Sequence, residues 1–176
     1  MGQLTVHAAA LDGAGPAPRV RRKKRPMGVA ALISWFVTAF VGLYLLAVWL
    51  IENDVTHRGA AASRLPVPVI FGHVLLALTG LVIWVIHLLS RSGTLGWTAL
   101  GILGGIAVLG LTMFTRWIPV HIAYVAAESG KHGRRVADYD FPAERAFPLP
   151  VVLGHGLLAF TTVTLVLLAM LGVGGG

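Results

Sequence analysis

Three of this chain's seven histidines, His73, His87 and His155, fall inside long apolar runs. An ionisable side chain in an apolar helix is costly when it faces hydrocarbon, so such residues turn inward toward a partner. There an imidazole can hold a hydrogen bond, carry a proton or ligate a metal through one ring nitrogen. Two of the three share one frame, PVPVIFGHVLLA at residues 66–77 and PLPVVLGHGLLA at residues 148–159. At an offset of 82 the identities are Pro66/Pro148, Pro68/Pro150, Val69/Val151, Gly72/Gly154, His73/His155, Leu75/Leu157, Leu76/Leu158, Ala77/Ala159 and Thr79/Thr161, nine in fourteen positions. Leucine and alanine matches are common in any apolar helix. The P-x-P-x-x-x-G-H frame is not.

Proline fits the first turn of a helix, where its missing N–H costs nothing. Each histidine lies five residues past its second proline, about 7.5 Å further in, so His73 and His155 share one depth. The simplest account is two copies of a helical hairpin related by a pseudo-two-fold axis along the membrane normal. Helices two and four then run in the same direction, and two imidazoles facing each other across the bundle can take both axial positions of one haem iron. Gly72 and Gly154, with Gly156 after one histidine, leave room for a flat macrocycle. Gly101, Gly104, Gly105 and Gly110 thin the third helix, for that purpose or for close helix packing. Arg64 and Arg145 precede the two proline frames and Arg116 ends the third apolar run. Their planar guanidinium groups suit haem propionates, although arginine is also ordinary at a membrane interface.

His87 follows His73 by fourteen residues, about 40° short of four full turns and roughly 21 Å along the axis, so the two share a face at opposite depths. The segments GHVLLALTGLVIWVIH and GHGLLAFTTVTLVLLA carry a resemblance at this point. The chain resembles, over roughly residues 27–172, the transmembrane cytochrome b family of quinol–cytochrome c reductases and related small four-helix b-type cytochromes. The resemblance implies paired helices holding two stacked haems between histidines, electron transfer, and a quinone or other redox partner. Only His73 and His155 carry over as a ligand pair. The position matching His87 is Ala169, followed by Met170. A second bis-histidine site is therefore missing, and His87 is either a hydrogen-bonded interior residue or part of a second site completed by Met170 or another chain.

The elements that must position these residues follow from hydropathy. The chain has 176 residues, 56% apolar and 12% charged, with mean hydropathy +0.80, far from the composition of a soluble domain. Four apolar runs, about 27–51, 66–90, 94–115 and 149–172, are each near or above the ~20 residues needed to span hydrocarbon. The predicted fold is an all-α integral membrane bundle of four helices built from two hairpin repeats. Residues 1–26, ending in RVRRKKRP, read as a disordered basic tail. The first run is too long for a cleaved signal. Residues 117–147 read as an outer loop in which HIAYVAAES forms a short surface helix. Trp49 and Trp117 fall at the outer interface and Trp97 at the inner.

The basic cluster beside the first helix predicts both termini in the cytoplasm and an inner-membrane location. The net charge of +7 needs only topology and anionic lipid to explain it, not nucleic acid. With no cysteine, disulfides and thiolate metal sites are excluded. The chain lacks a P-loop, a G-x-S-x-G elbow, an H-E-x-x-H motif and a dinucleotide fingerprint. Acidic residues are absent from the four runs, which argues against a proton-coupled transporter. His57, His121 and His132 fall in outer segments, where exposed imidazole is ordinary; His121 could also border a quinone pocket or bind a metal. The expected function is electron transfer with one haem b, with other membrane redox subunits or a quinone pool as partner and homo-oligomerisation open. The competing expectation is a cofactor-free membrane subunit or assembly factor.

Overall fold

The four apolar runs each form one helix: α1 Pro26–Thr56, α2 Val67–Ser90, α3 Gly93–Glu128 and α4 Leu149–Met170, with a 3-10 turn, Ala143–Ala146, before the last. The computed structural model describes residues 26–56, 63–129 and 141–173, and these contain no strand. All four helices are long and apolar enough to cross a membrane. The basic N-terminal cluster, His57, His132 and all the charges between α3 and the 3-10 turn lie outside the described residues.

The two proline frames start their helices alike. Pro66 (φ −64°, ψ 123°) and Pro148 (φ −66°, ψ 123°) are the extended residues before α2 and α4, and each carbonyl receives the amides three and four residues on. At the other end of the bundle, α2 joins α3 through Arg91 and Ser92 alone. Arg91 takes a left-handed conformation (φ 60°) and donates its N–H to the His87 carbonyl at 2.8 Å. That single left-handed residue reverses the chain.

α3 departs from expectation. The sequence predicts an end near residue 115, a loop from 117 and a separate short helix over HIAYVAAES; instead one helix runs unbroken to Glu128 with Pro119 inside it. Proline removes one intrahelical hydrogen bond, that of the Thr115 carbonyl. Packing on both sides of it holds the helix together: Trp117 and Val120 are buried, and the Tyr124 ring meets Phe141 edge-on at 5.5 Å. α1 also continues past the predicted residue 51, to Thr56.

Core-facing residues of α1 and α3 recur at alternating three- and four-residue steps, the seam of a left-handed bundle. In α1 they include Gly28, Ala31, Trp35, Thr38, Gly42 and Trp49, and in α3 Gly96, Ala99, Leu103, Ile106, Gly110, Trp117 and Val120. α2 packs chiefly on α3 and α4 chiefly on α1, while the α1–α2 and α3–α4 faces meet more sparsely and α2 and α4 stand diagonally apart. Thus two tight pairs face each other. One apolar cluster, around Trp35, Leu81, Trp84, Leu103 and Val166, fills the end with the short turn; another, around Trp49, Leu65, Ile70 and Ala143, fills the end with the long connections.

Trp49 and Trp117 contribute to the interior rather than facing outward as interfacial anchors. Both are 3% exposed. The Trp49 indole N–H reaches Ser63 Oγ at 3.1 Å and that of Trp117 reaches the Glu144 carbonyl at 3.1 Å, which satisfies a donor that burial would otherwise orphan. Trp97, in contrast, is half exposed.

Candidate functional site: two facing histidines

Between the two apolar clusters, α2 and α4 each direct one imidazole to the middle of the bundle. The ring centroids of His73 and His155 are 6.4 Å apart and their planes are inclined by 58°. Both Nδ1 atoms are buried and make no hydrogen bond among the described residues. Unpaired buried polar atoms are uncommon and costly, roughly 1–3 kcal/mol each, and they concentrate where a ligand belongs. No third histidine or carboxylate joins them, since no group of three such residues among those described could hold a metal ion. The arrangement therefore offers two imidazoles that face each other across the bundle.

Each ring rests on a glycine of the helix that packs tightly beside its own. A methyl at Gly110 would lie 3.2 Å from His73 Cε1 and one at Gly42 would lie 3.0 Å from His155 Cε1. Sequence reasoning assigned Gly110 only to a thin helix and overlooked Gly42. The missed signal is a second internal match, at an offset of 68: Gly28/Gly96, Ala31/Ala99, Leu32/Leu100, Ala39/Ala107, Gly42/Gly110, Leu43/Leu111 and Trp49/Trp117. These identities are scattered along a helical face, so no contiguous motif reveals them. The offset differs from 82 because the connection before α4 is longer.

The other predicted glycines lie differently. Gly72 has only Leu109 Cδ1 nearby, at 3.9 Å, and around Gly154 and Gly156 an added methyl would meet nothing within 4 Å. The same holds for Gly101, Gly104 and Gly105, which are exposed on the outer surface of α3. Close packing occurs instead at Gly28 against Leu88, at Gly80 against Trp35 and Ile102, and at Gly96 against Met170 and His87.

His87 is 5% exposed and already occupied. Its Nδ1–H donates to the Ser92 carbonyl at 2.7 Å and its ring stacks on Trp84 at 4.8 Å. Together with the bond from Arg91 N–H to its own carbonyl, this pins the α2–α3 turn at both ends. Met170 and His87 do approach each other, over Gly96.

Of the three arginines, two come together. Arg64 and Arg116 line an open recess of about 530 Å³ with Ser63, Pro66, Thr115 and Pro119, and Arg116 Nη1 donates to the Arg64 carbonyl at 3.3 Å. Arg145 belongs to the 3-10 turn and does not line it. Beside the recess, Glu144 is fully buried. Its carboxylate accepts the Ser63 hydroxyl at 2.9 Å and the Arg64 amide at 2.6 Å, which ties the turn to the start of α2. His121 stacks on Trp117 at 4.8 Å with its Nδ1 buried and unpaired. It points away from the recess, because positions 117 and 121 lie across the helix from 115, 116 and 119.

No family model matches this chain, and neither a curated protein nor a solved structure matches it.

Proposed function

We propose that this chain is a multi-pass membrane electron-transfer protein in which His73 and His155 would hold one b-type haem between α2 and α4. The observation that carries this reading is the pair of imidazoles that face each other across the bundle. Two imidazoles bound on opposite sides of one metal ion, at about 2.0–2.1 Å each, put their ring centroids roughly 6 Å apart. The 6.4 Å seen here fits that requirement. The sparse α1–α2 and α3–α4 faces are consistent with a flat group reaching outward between the two tight helix pairs. Haem held in this way supplies a one-electron couple within the membrane.

The remaining roles belong to the chain's own residues. Arg64 and Arg116, which line one recess at the long-connection end, would neutralise the carboxylates of a bound haem, where an unpaired charge would be costly. The offsets of 82 and 68 fit two hairpin repeats, α1–α2 and α3–α4, whose helices two and four run parallel. The apolar outer faces of the helices, with Phe40, Leu75, Leu89 and Phe160 about two-thirds or more exposed, suit hydrocarbon rather than water. The histidines lie near the extracytoplasmic face, both termini are cytoplasmic, and electrons pass to or from other membrane redox subunits or the quinone pool.

The deciding measurement is a dithionite-reduced minus oxidised spectrum of full-length protein purified from haem-replete cells. A b-type α-band at about one haem per chain supports the reading. A colourless, well-folded sample rejects it in favour of a cofactor-free membrane subunit.

A further inference from the structure

The two imidazoles are seated in the same way on different helices. His73 rests on Gly110 of α3 with the Ile106 carbonyl beside its ring, and His155 rests on Gly42 of α1 with the Thr38 carbonyl beside its ring. In both cases the carbonyl belongs to the residue four before the glycine. A helical carbonyl points along the axis toward the residue four positions on, and a side chain there partly covers it. Glycine leaves it open.

The nearest atoms to each glycine are those on one edge of the ring. For His155, Cε1 is at 3.0 Å and Nδ1 at 3.7 Å from the position a methyl would take, and for His73 the corresponding distances are 3.2 and 3.7 Å. Nδ1 of each ring is also its buried, unpaired nitrogen. A metal-binding histidine usually donates its second N–H to a carbonyl or carboxylate, which fixes the tautomer and the ring orientation.

We infer that Gly42 and Gly110 are positioning residues: each exposes the carbonyl four residues before it to the Nδ1–H of one imidazole, so that both rings present an unprotonated Nε2 to a shared ligand. The inference rests on the haem reading for the identity of that ligand and on chain geometry alone for the tautomer. Alanine at either glycine displaces the ring by a few tenths of an ångström and screens the carbonyl.

The tautomer can be read without haem. In full-length protein prepared haem-free in detergent, the imidazole ¹⁵N shifts of His73 and His155, assigned by single His→Gln variants, should report protonated Nδ1 and unprotonated Nε2 in both rings. Gly42→Ala should disturb only His155, and Gly110→Ala only His73. The Nε2-protonated form in both rings overturns the inference whether or not the protein binds haem. In haem-replete protein, either alanine variant should weaken haem retention about tenfold or more, as loss of an outer-shell partner does. It should also change the g-values of the low-spin ferric signal, which depend on imidazole orientation. Gly104→Ala, on the open face of α3, is the matched control and should change neither. Wild-type spectra and retention in both Gly42→Ala and Gly110→Ala overturn the seating role while leaving the haem reading intact. A haem-free wild type rejects the haem reading, and the tautomer result still judges the seats.

Discussion

His87 is buried at the short turn, its Nδ1 bonded to the Ser92 carbonyl and its ring stacked on Trp84, whereas His155 faces a second imidazole across the bundle. That difference separates a turn-pinning histidine from a candidate ligand. Replacing His73 or His155 with alanine should remove most of the b-type band, because one remaining imidazole anchors haem poorly. His87→Ala should keep the band and lower the thermal midpoint, since it removes a hydrogen bond worth about 0.5–1.5 kcal/mol together with the stacking on Trp84. Equal loss of haem in all three variants would instead indicate a second site using His87 and Met170. Glu144 makes a parallel case. Glu144→Ala strips acceptors from Ser63 and the Arg64 amide and should destabilise by about 1–3 kcal/mol, whereas Glu144→Gln keeps an acceptor oxygen and should be milder. Equal melting midpoints for the two would show that the carboxylate holds nothing together. The meeting of His73 and His155 is legible in sequence because a rare proline-glycine-histidine frame occurs twice. Glu144 is not, because one acidic residue in a polar stretch gives no sign that two donors from another loop will close over it.

At the scale of the helices, hydropathy predicts four elements and places the starts of α2 and α4 to within a residue, since proline marks them. It misplaces the end of α3, where Pro119 and the polar residues beyond resemble a terminus. The information that overrides them is tertiary: the packing of Trp117 and Tyr124 against the segment that begins at Phe141. Glycine usage shows the same limit, because sequence cannot say which face of α3 is packed. Gly80→Ala would press a methyl to 2.9 Å from Trp35 Cζ2 and 3.0 Å from Ile102 Cγ2, and overpacking of this kind costs about 1–3 kcal/mol. Gly104→Ala meets no neighbour and should gain up to about 1 kcal/mol from helix propensity. Thermal unfolding in detergent should move in opposite directions for the two. A common direction would mean that the packed and open faces of α3 have been confused. Thr162 offers a finer probe. Its buried hydroxyl bonds with Ser34 Oγ at 2.8 Å and Thr38 Oγ1 at 3.2 Å, joining α4 to α1; Thr162→Val should lower the midpoint by the ~0.6 kcal/mol typical of such links in membrane helices, up to about 1.7.

Taken whole, the molecule sets the histidines nearer the long-connection end, and electron exchange should be possible from that side. In sealed, oriented vesicles, membrane-impermeant oxidants and reductants should reach the couple from the extracytoplasmic face only. Arg64→Gln should lower the midpoint potential, because less positive charge near the haem carboxylates favours the oxidised iron. Access from the cytoplasmic face alone, with an unchanged potential, would reject both the orientation and the role of Arg64. The pairing of the helices has a consequence for synthesis as well. α1 emerges first from the ribosome, but its chief partner, α4, emerges last, with α2 and α3 made between them. Early contacts along the chain therefore leave α1 without its main packing surface until α4 is made. In nascent chains truncated before residue 149, the face of α1 that α4 later covers should cross-link to lipid, and the haem proposed above would have the whole of that interval to enter sideways before the last helix closes the bundle.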